Sequence, residues 1–288
     1  MKWKAGPSPI GEGPASFSGA GTVVITSRRN PLLRDLRAML QSPPRRSSRC
    51  VVEGWRSLQT AEASGAEIQS VVYTPEAGND PRGEETRRRL EARGTKTVLV
   101  SPYVFESLTQ VESPQGVLGV VRRPADGPRA ELRRADALLA VLDGIQDPGN
   151  VGAILRTAAA ATATAGIIVG AAADPYGPKA IRASAGAVFH LPLLFFASAT
   201  EAAAALQAGG VTVLVADPRA ERLHTEVSYA RPVAIVFGSE GAGPSQAWGQ
   251  RATAVSLPMA RSVESLGVAA AAAILLYAAA ATARRVSG

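Results

Sequence analysis

Between residues 137 and 258, six short apolar runs alternate with longer helical stretches. The runs are 137-ALLAVLDGI-145, 166-GIIVG-170, 191-LPLLFF-196, 211-VTVLVAD-217, 233-VAIVFG-238 and 253-TAVSLP-258. None shows the polar alternation of a strand with one wet face, so each is expected to be covered on both sides. The stretches 150–163, 178–189 and 200–210 have helical character and let neighbouring strands run parallel. This pattern demands an α/β domain built on a mostly parallel sheet. Ligands in such sheets sit beyond the C-terminal strand ends, so chemistry is to be sought in the turns after these runs.

The first half alternates too, in shorter steps. Helices are expected at 30–40, 55–66, 84–94 and 102–110, and strands at 50–54, 68–74, 97–100 and 114–124. That order fits a small α/β/α sandwich. A Gly/Pro/Ser-rich tail, 1–25, is expected to be disordered and precedes a domain over 26–124; the Pro- and charge-bearing stretch 125–136 reads as a linker to a second domain, 137–288. The tail lacks the apolar core of a signal peptide. One cysteine, Cys50, and two histidines argue against an internal disulfide, a multi-cysteine metal site and a His-rich one. No metal is expected, and the cysteine usage fits a reducing cytoplasm.

The formal charge of +7 is uneven. Residues 1–136 hold 21 Lys and Arg against 15 Asp and Glu, and the remainder holds 10 against 9. An arginine-rich half fits phosphate contacts and base stacking, and it equally fits a solvated basic surface. The patch 43-PPRRSSR-49 is its densest part. The alanine-dominated run 268–283 falls short of the roughly 20 apolar residues of a membrane span. It is expected to be a buried helix, and no membrane partner is expected.

Four turns carry candidate chemistry. In 143-DGIQDPGNVGAILRTAAA-160 a strand runs through a Pro-Gly turn into a helix, with Asn150 at the cap position and Arg156 six residues on. Either the helix start is an anion site, or Asn150 is only a cap and Arg156 only a surface cation. In 233-VAIVFGSEGAGPS-245 a strand meets three glycines and Glu240; the loop is either a close backbone approach to a ligand or a tight turn with an exposed carboxylate. It is neither a P-loop nor a dinucleotide fingerprint. In 257-LPMARSVESLGVAA-270 a polar turn precedes the alanine-rich helix, with Ser262 or Ser265 as a possible cap. The segment 174-DPYGPKAIRASAGAVFHLPL-193 places Lys179 and Arg182 on one helix face, where they can hold phosphate, and His190 in an apolar run that suggests packing.

In this order and spacing the motifs resemble the SpoU/TrmH family of the SPOUT methyltransferase superfamily. The residues carrying the resemblance are Asn150, Gly152, Arg156 and Ala158; Gly238, Glu240 and Gly243; and Pro258, Met259, Ser265, Leu266, Val268 and Ala271. The segment 179-KAIRASAGAVFHLPL-193 is similar to a further family stretch. Residues 50-CVVEGWRSLQTA-61 and 114-PQGVLGVV-121 resemble the L30e-like substrate-binding domain often fused ahead of the catalytic domain. The resemblance implies a deep trefoil knot, a homodimer, and S-adenosylmethionine as cofactor for methyl transfer to a ribose 2′-hydroxyl of RNA. Ribosomal 23S RNA is the expected substrate, with tRNA as the alternative.

It further implies catalytic roles for Arg156, Asn150, Glu240 and Ser265, and a cofactor pocket made by Gly238, Leu257, Met259 and Leu266. Lys179, Arg182, Arg45, Arg46 and Arg49 are the expected RNA contacts. Arginine scarcely deprotonates in proteins, so Arg156 is expected to grip phosphate and stabilise the nascent oxyanion rather than act as a base. The sequence departs from the family pattern at Gly267, where the family has Asn. A glycine supplies no side-chain amide, which leaves open a catalytically weak RNA-binding or ribosome-assembly factor on the same fold.

Overall fold

The structure is a computed structural model and describes residues 17–18, 22–41, 47–109, 113–260, 262–263 and 265–286. Within the expected tail, β1 (Phe17–Ser18) pairs antiparallel with β2 (Thr22–Val23), and Ile25 bridges to Val100. The rest of the N-terminal half runs α1 (Pro31–Gln41), β3 (Arg49–Glu53), α2 (Trp55–Ala63), β4 (Ile68–Tyr73), α3 (Pro75–Asn79), α4 (Pro81–Ala92), β5 (Lys96–Leu99), α5 (Pro102–Glu106) and β6 (Val117–Arg122). The charged helix starts earlier than its charges suggest. Asp80 caps it by accepting the Arg82 N–H, and Pro81 fits the first turn, where no N–H partner is needed.

Its sheet has the order β3-β6-β4-β5, with β6 antiparallel to both neighbours and β5 parallel to β4. One face packs on α1 and α5 through Leu33, Leu36, Val104 and Phe105. The other face belongs to a core that continues into the C-terminal half, from Cys50, Trp55 and Leu58 to Tyr176, Val188 and Phe189.

The C-terminal half runs β7 (Leu138–Asp143), α6 (Pro148–Ala160), β8 (Ala165–Val169), α7 (Pro178–Ser184), β9 (Leu193–Phe196), α8 (Ala199–Ala208), β10 (Thr212–Ala216), β11 (Val233–Gly238), β12 (Thr253–Val255) and α9 (Val268–Val286). The strands form one sheet, β12-β10-β11-β7-β8-β9, and every recorded pair is parallel. Chain order reverses between β7 and β11, so the crevice for a ligand opens at the C-terminal ends of those strands. The expected linker is packed rather than free: Leu132 is buried beneath α8, and the Gly127 N–H donates to the Leu193 carbonyl at 2.6 Å.

α9 returns the chain from the sheet edge to pack on α6, β11 and β7. Ala272, Leu275, Leu276 and Ala279 form its buried face at helical spacing. Burial of each leucine stabilises by about 2 kcal/mol. The opposite face is open, so the helix is covered on one side only. Among the described residues no helix is long and apolar enough to cross a membrane.

Candidate active site

The first motif starts from Asp147 rather than Asn150. Asp147 is the N-cap of α6 and its carboxylate accepts the Asn150 N–H at 3.0 Å, with Pro148 in the first turn. The cap assigned to Asn150 from sequence is therefore corrected: an Asp-Pro start places Asn150 three residues inside, where its side chain is not used as the cap. The other oxygen of Asp147 accepts from Lys179 Nζ at 2.8 Å. The Lys179 ammonium, followed by the backbone N–H groups of the cap, holds this carboxyl below its ordinary value. Gly152, next in the motif, lets α6 lie against α7; a Cβ there would come within 2.3 Å of the Ala180 carbonyl oxygen.

The second motif closes on itself. The Gly243 N–H donates to the Ser239 carbonyl at 2.8 Å, folding residues 239–243 into a tight loop over the end of β11. Gly238 has to be glycine, because a Cβ would sit 2.0 Å from the Pro244 nitrogen. The loop brings Glu240 to α6, where Asn150 Nδ2 donates to Glu240 Oε1. Two residues separated by 90 positions in the chain thereby form one polar pair.

The third motif completes a cleft of about 460 Å³ at the ends of β10, β11 and β12. Gly238, Glu240, Leu257, Met259, Ser265 and Leu266 all line it, so both cofactor-lining and polar candidates from three separate turns meet there. Phe237, Val255, Leu257 and Leu275 make its apolar wall, and Asp217, Arg219, Glu240 and Ser265 its polar groups. Ser265 and Leu266 are exposed at its lip. Gly267 also lines it, and its carbonyl accepts the Ala270 and Ala271 N–H groups. Gly267 thus caps α9 through its backbone, and neither Ser262 nor Ser265 does. Open space surrounds its Cα, so an asparagine side chain would meet no atom within 4 Å of its Cβ.

The remaining candidates lie apart. Arg156 is exposed on α6, does not line the cleft, and its side chain makes no hydrogen bond or ion pair with the described residues. Arg182 is paired with Glu53 of the N-terminal half, Nη1 to Oε2 at 2.9 Å, and so joins the two halves. Arg49 is exposed at the start of β3, and Arg45 and Arg46 lie outside the described residues. His190 is exposed at the end of a 3-10 turn rather than packed.

Sequence reasoning passed over three groups at the site. Asp147 was hidden in the quoted turn as a plain acidic residue, although Asp before Pro is itself a helix-start signal. Asp217 lines the cleft at the end of β10, and one of its oxygens accepts the Arg219 backbone N–H at 2.9 Å. Asp143 is buried at the end of β7 and accepts from the Ser245 N–H at 2.7 Å and from Trp248 Nε1 at 2.9 Å. No local pattern marks Asp143, because its donors are 102 and 105 residues away.

The chain is similar to proteins of known family. Residues 137–277 match the SpoU rRNA Methylase family, and residues 30–119 match the MRM3-like substrate binding domain. A 23S rRNA (uridine(2479)-2'-O)-methyltransferase of Streptomyces viridochromogenes is 33% identical over 273 residues, covering 92% of this chain and 93% of the relative. An uncharacterized tRNA/rRNA methyltransferase of Synechocystis is 34% identical over 262 residues, covering 88% of this chain and 92% of the relative. The crystal structure of the SpoU methyltransferase AviRb from Streptomyces viridochromogenes, in complex with AdoMet, superposes with a TM-score of 0.78 at 29% identity, covering 90% of this chain and 100% of that one. The likeness runs through both halves, and the chain belongs to the SpoU rRNA methylase family.

Proposed function

We propose that the protein transfers the methyl group of S-adenosylmethionine to a ribose 2′-hydroxyl of 23S rRNA, acting in the cytoplasm. The observation that carries this reading is the single cleft into which three separate turns place Gly238, Glu240, Leu257, Met259, Ser265 and Leu266. Its volume is that of a small-molecule site. Its donor set fits the cofactor: an apolar wall suits an adenine face, a glycine floor brings backbone groups within reach, and carboxylates suit hydroxyl and ammonium groups. When bound, S-adenosylmethionine supplies a methyl group activated by a sulfonium. Residues 26–124 act as the RNA substrate-binding domain and 137–288 as the methyltransferase domain, with Lys179, Arg182 and Arg49 as RNA-facing cations. The return of α9 against α6, β11 and β7 is read as part of a deep trefoil knot.

The chain's own residues then have distinct tasks. Gly238, Leu257, Met259 and Leu266 hold the cofactor. Glu240 fixes the Asn150 amide, and Asn150 and Ser265 orient the target ribose. Arg156 is a permanent cation that grips the target phosphate and stabilises charge on the 2′-oxygen as it develops.

Arg156 lies six residues beyond Asn150 on α6, about 240° around the helix axis, and is absent from its own cleft wall. Ile274 and Tyr277 stand 41% and 53% exposed on the open face of neighbouring α9. A homodimer through α6 and α9 covers that face and brings Arg156 to the partner's cleft. Mixing inactive Arg156→Ala and Glu240→Ala proteins then recovers part of the activity; no recovery would show that arginine and cleft act within one protomer. The main test is transfer of labelled methyl from S-adenosylmethionine to 23S rRNA, 16S rRNA and tRNA. Methylation of 23S rRNA at a 2′-oxygen is expected. Normal cofactor binding with no transfer to any RNA would sink the reading, and transfer to tRNA alone would replace the substrate.

A further inference from the structure

Asp143 lies outside the cleft wall, seven residues before Asn150 in the chain, and is 8% exposed. Both of its recorded hydrogen bonds enter one oxygen, Oδ2, from the Ser245 N–H at 2.7 Å and the Trp248 indole at 2.9 Å. These donors stand at the far end of the glutamate loop. The near end of that loop is β11 itself, and its middle is closed by the Gly243 N–H to the Ser239 carbonyl. Trp248 is 2% exposed and packed in the apolar layer beneath α8, so the anchor point is rigid. The loop is therefore held at one end by its parent strand and at the other by a carboxylate on the neighbouring strand β7. That strand leads directly into the Asp147 cap and Asn150. A charged acceptor shortens and strengthens such bonds, and in a buried site an unpaired indole or amide N–H is costly.

We propose that Asp143 is a positioning residue that sets the height of the glutamate loop over the cofactor cleft, so that Glu240 meets Asn150 and Gly243–Pro244 stay packed on Gly238. It touches neither cofactor nor RNA and acts through the loop. It ties the first motif to the second: the strand that presents Asn150 also carries the tether of the loop that presents Glu240. The inference rests on the cofactor reading of the cleft.

The test uses the full chain and two readouts. One is the dissociation constant of S-adenosylmethionine by calorimetry. The other is hydrogen exchange of the Trp248 indole N–H in cofactor-free protein, by NMR. Asp143→Leu is expected to weaken cofactor binding by about tenfold or more and to release the indole proton to fast exchange. Asp143→Asn offers one oxygen to the same two donors, so it should stay within about threefold of the unaltered protein in affinity and keep the proton protected. Trp248→Phe removes one donor while keeping an aromatic ring; it answers if the leucine variant does not fold, and should weaken binding about threefold. The proposal is overturned if the leucine and phenylalanine variants, once folded, bind the cofactor as the unaltered protein does. It is also overturned if the asparagine variant loses as much as leucine. If the unaltered protein binds no S-adenosylmethionine, the cofactor reading falls by itself, and the indole exchange of the Asp143 variants still decides whether Asp143 tethers the loop.

Discussion

In the N-terminal half arginines stand beside carboxylates: Arg87 with Glu91, Arg88 with Glu84, Arg89 and Arg93 with Glu62, and Arg122 with Glu67. In the C-terminal half, nearly neutral in sequence, Arg156 is exposed and makes no ion pair with the described residues. Five arginines of the basic half are thus paired on its own surface, while the balanced half presents an exposed guanidinium with no ion pair among the described residues. A formal count measures the charge a domain carries; a phosphate responds to the charge that is still unpaired. The contrast shows why composition indicated the class of partner and gave no guide to the groups that would meet it.

Breaking this contrast at its strongest point means removing Arg156. Arg156→Ala is expected to lower the turnover number about a thousandfold while leaving the S-adenosylmethionine dissociation constant unchanged in calorimetry. Unchanged turnover would return Arg156 to the status of a surface cation. Next comes Gly267→Asn. The space around Gly267 is open and its backbone already caps α9, so the variant should fold with equal or slightly higher melting temperature. Its methyl-transfer rate should change by less than about threefold; a gain far beyond that would favour the weak-enzyme alternative that the glycine suggested.

Smaller effects are expected among the paired arginines. Arg88→Ala and Arg122→Ala should each shift RNA affinity by less than about twofold and leave its salt slope unaltered, because their carboxylates already neutralise them. A slope reduced by about one for either variant would mean that the pair opens onto phosphate. The smallest effect concerns Cys50, buried on β3. Burial pushes its thiol up to about 12 from 9.0, so iodoacetamide should not label the folded protein at pH 8. The folded state favours the neutral thiol, so this contribution to stability is complete below pH 9 and is lost as pH rises from there towards 12. Rapid labelling of folded protein would contradict it.

The strands of both halves were legible because an apolar run between helices has few other places to go. Cys50, Val71, Val141 and Ile235 are buried where their runs required. The cleft was legible only as three separate turns, since Gly238, Leu257 and Leu266 carry motifs but no statement of their mutual distance. The partner of Arg182 was illegible for a related reason. The helix face of Arg182 suits phosphate, yet the approach of β3 gives it Glu53 as a partner, an event 129 residues away in the chain. Trp248 gave no signal as part of the site, because its importance lies in a hydrogen bond that forms only when β7 and the glutamate loop lie side by side.

The sequence by itself determined the α/β class, the parallel sheet, the burial of its strands and the residue types at the cleft, because these follow from period, apolarity and local turn chemistry, which neighbours in the chain decide. The tertiary structure decided that Asn150 meets Glu240, that Asp143 accepts from Ser245 and Trp248, that Arg182 is bound to Glu53 while Arg156 has no ion pair among the described residues, and that one face of α9 stays open. Those outcomes depend on which groups are brought within 3 Å of one another across long loops, and no local pattern encodes that distance.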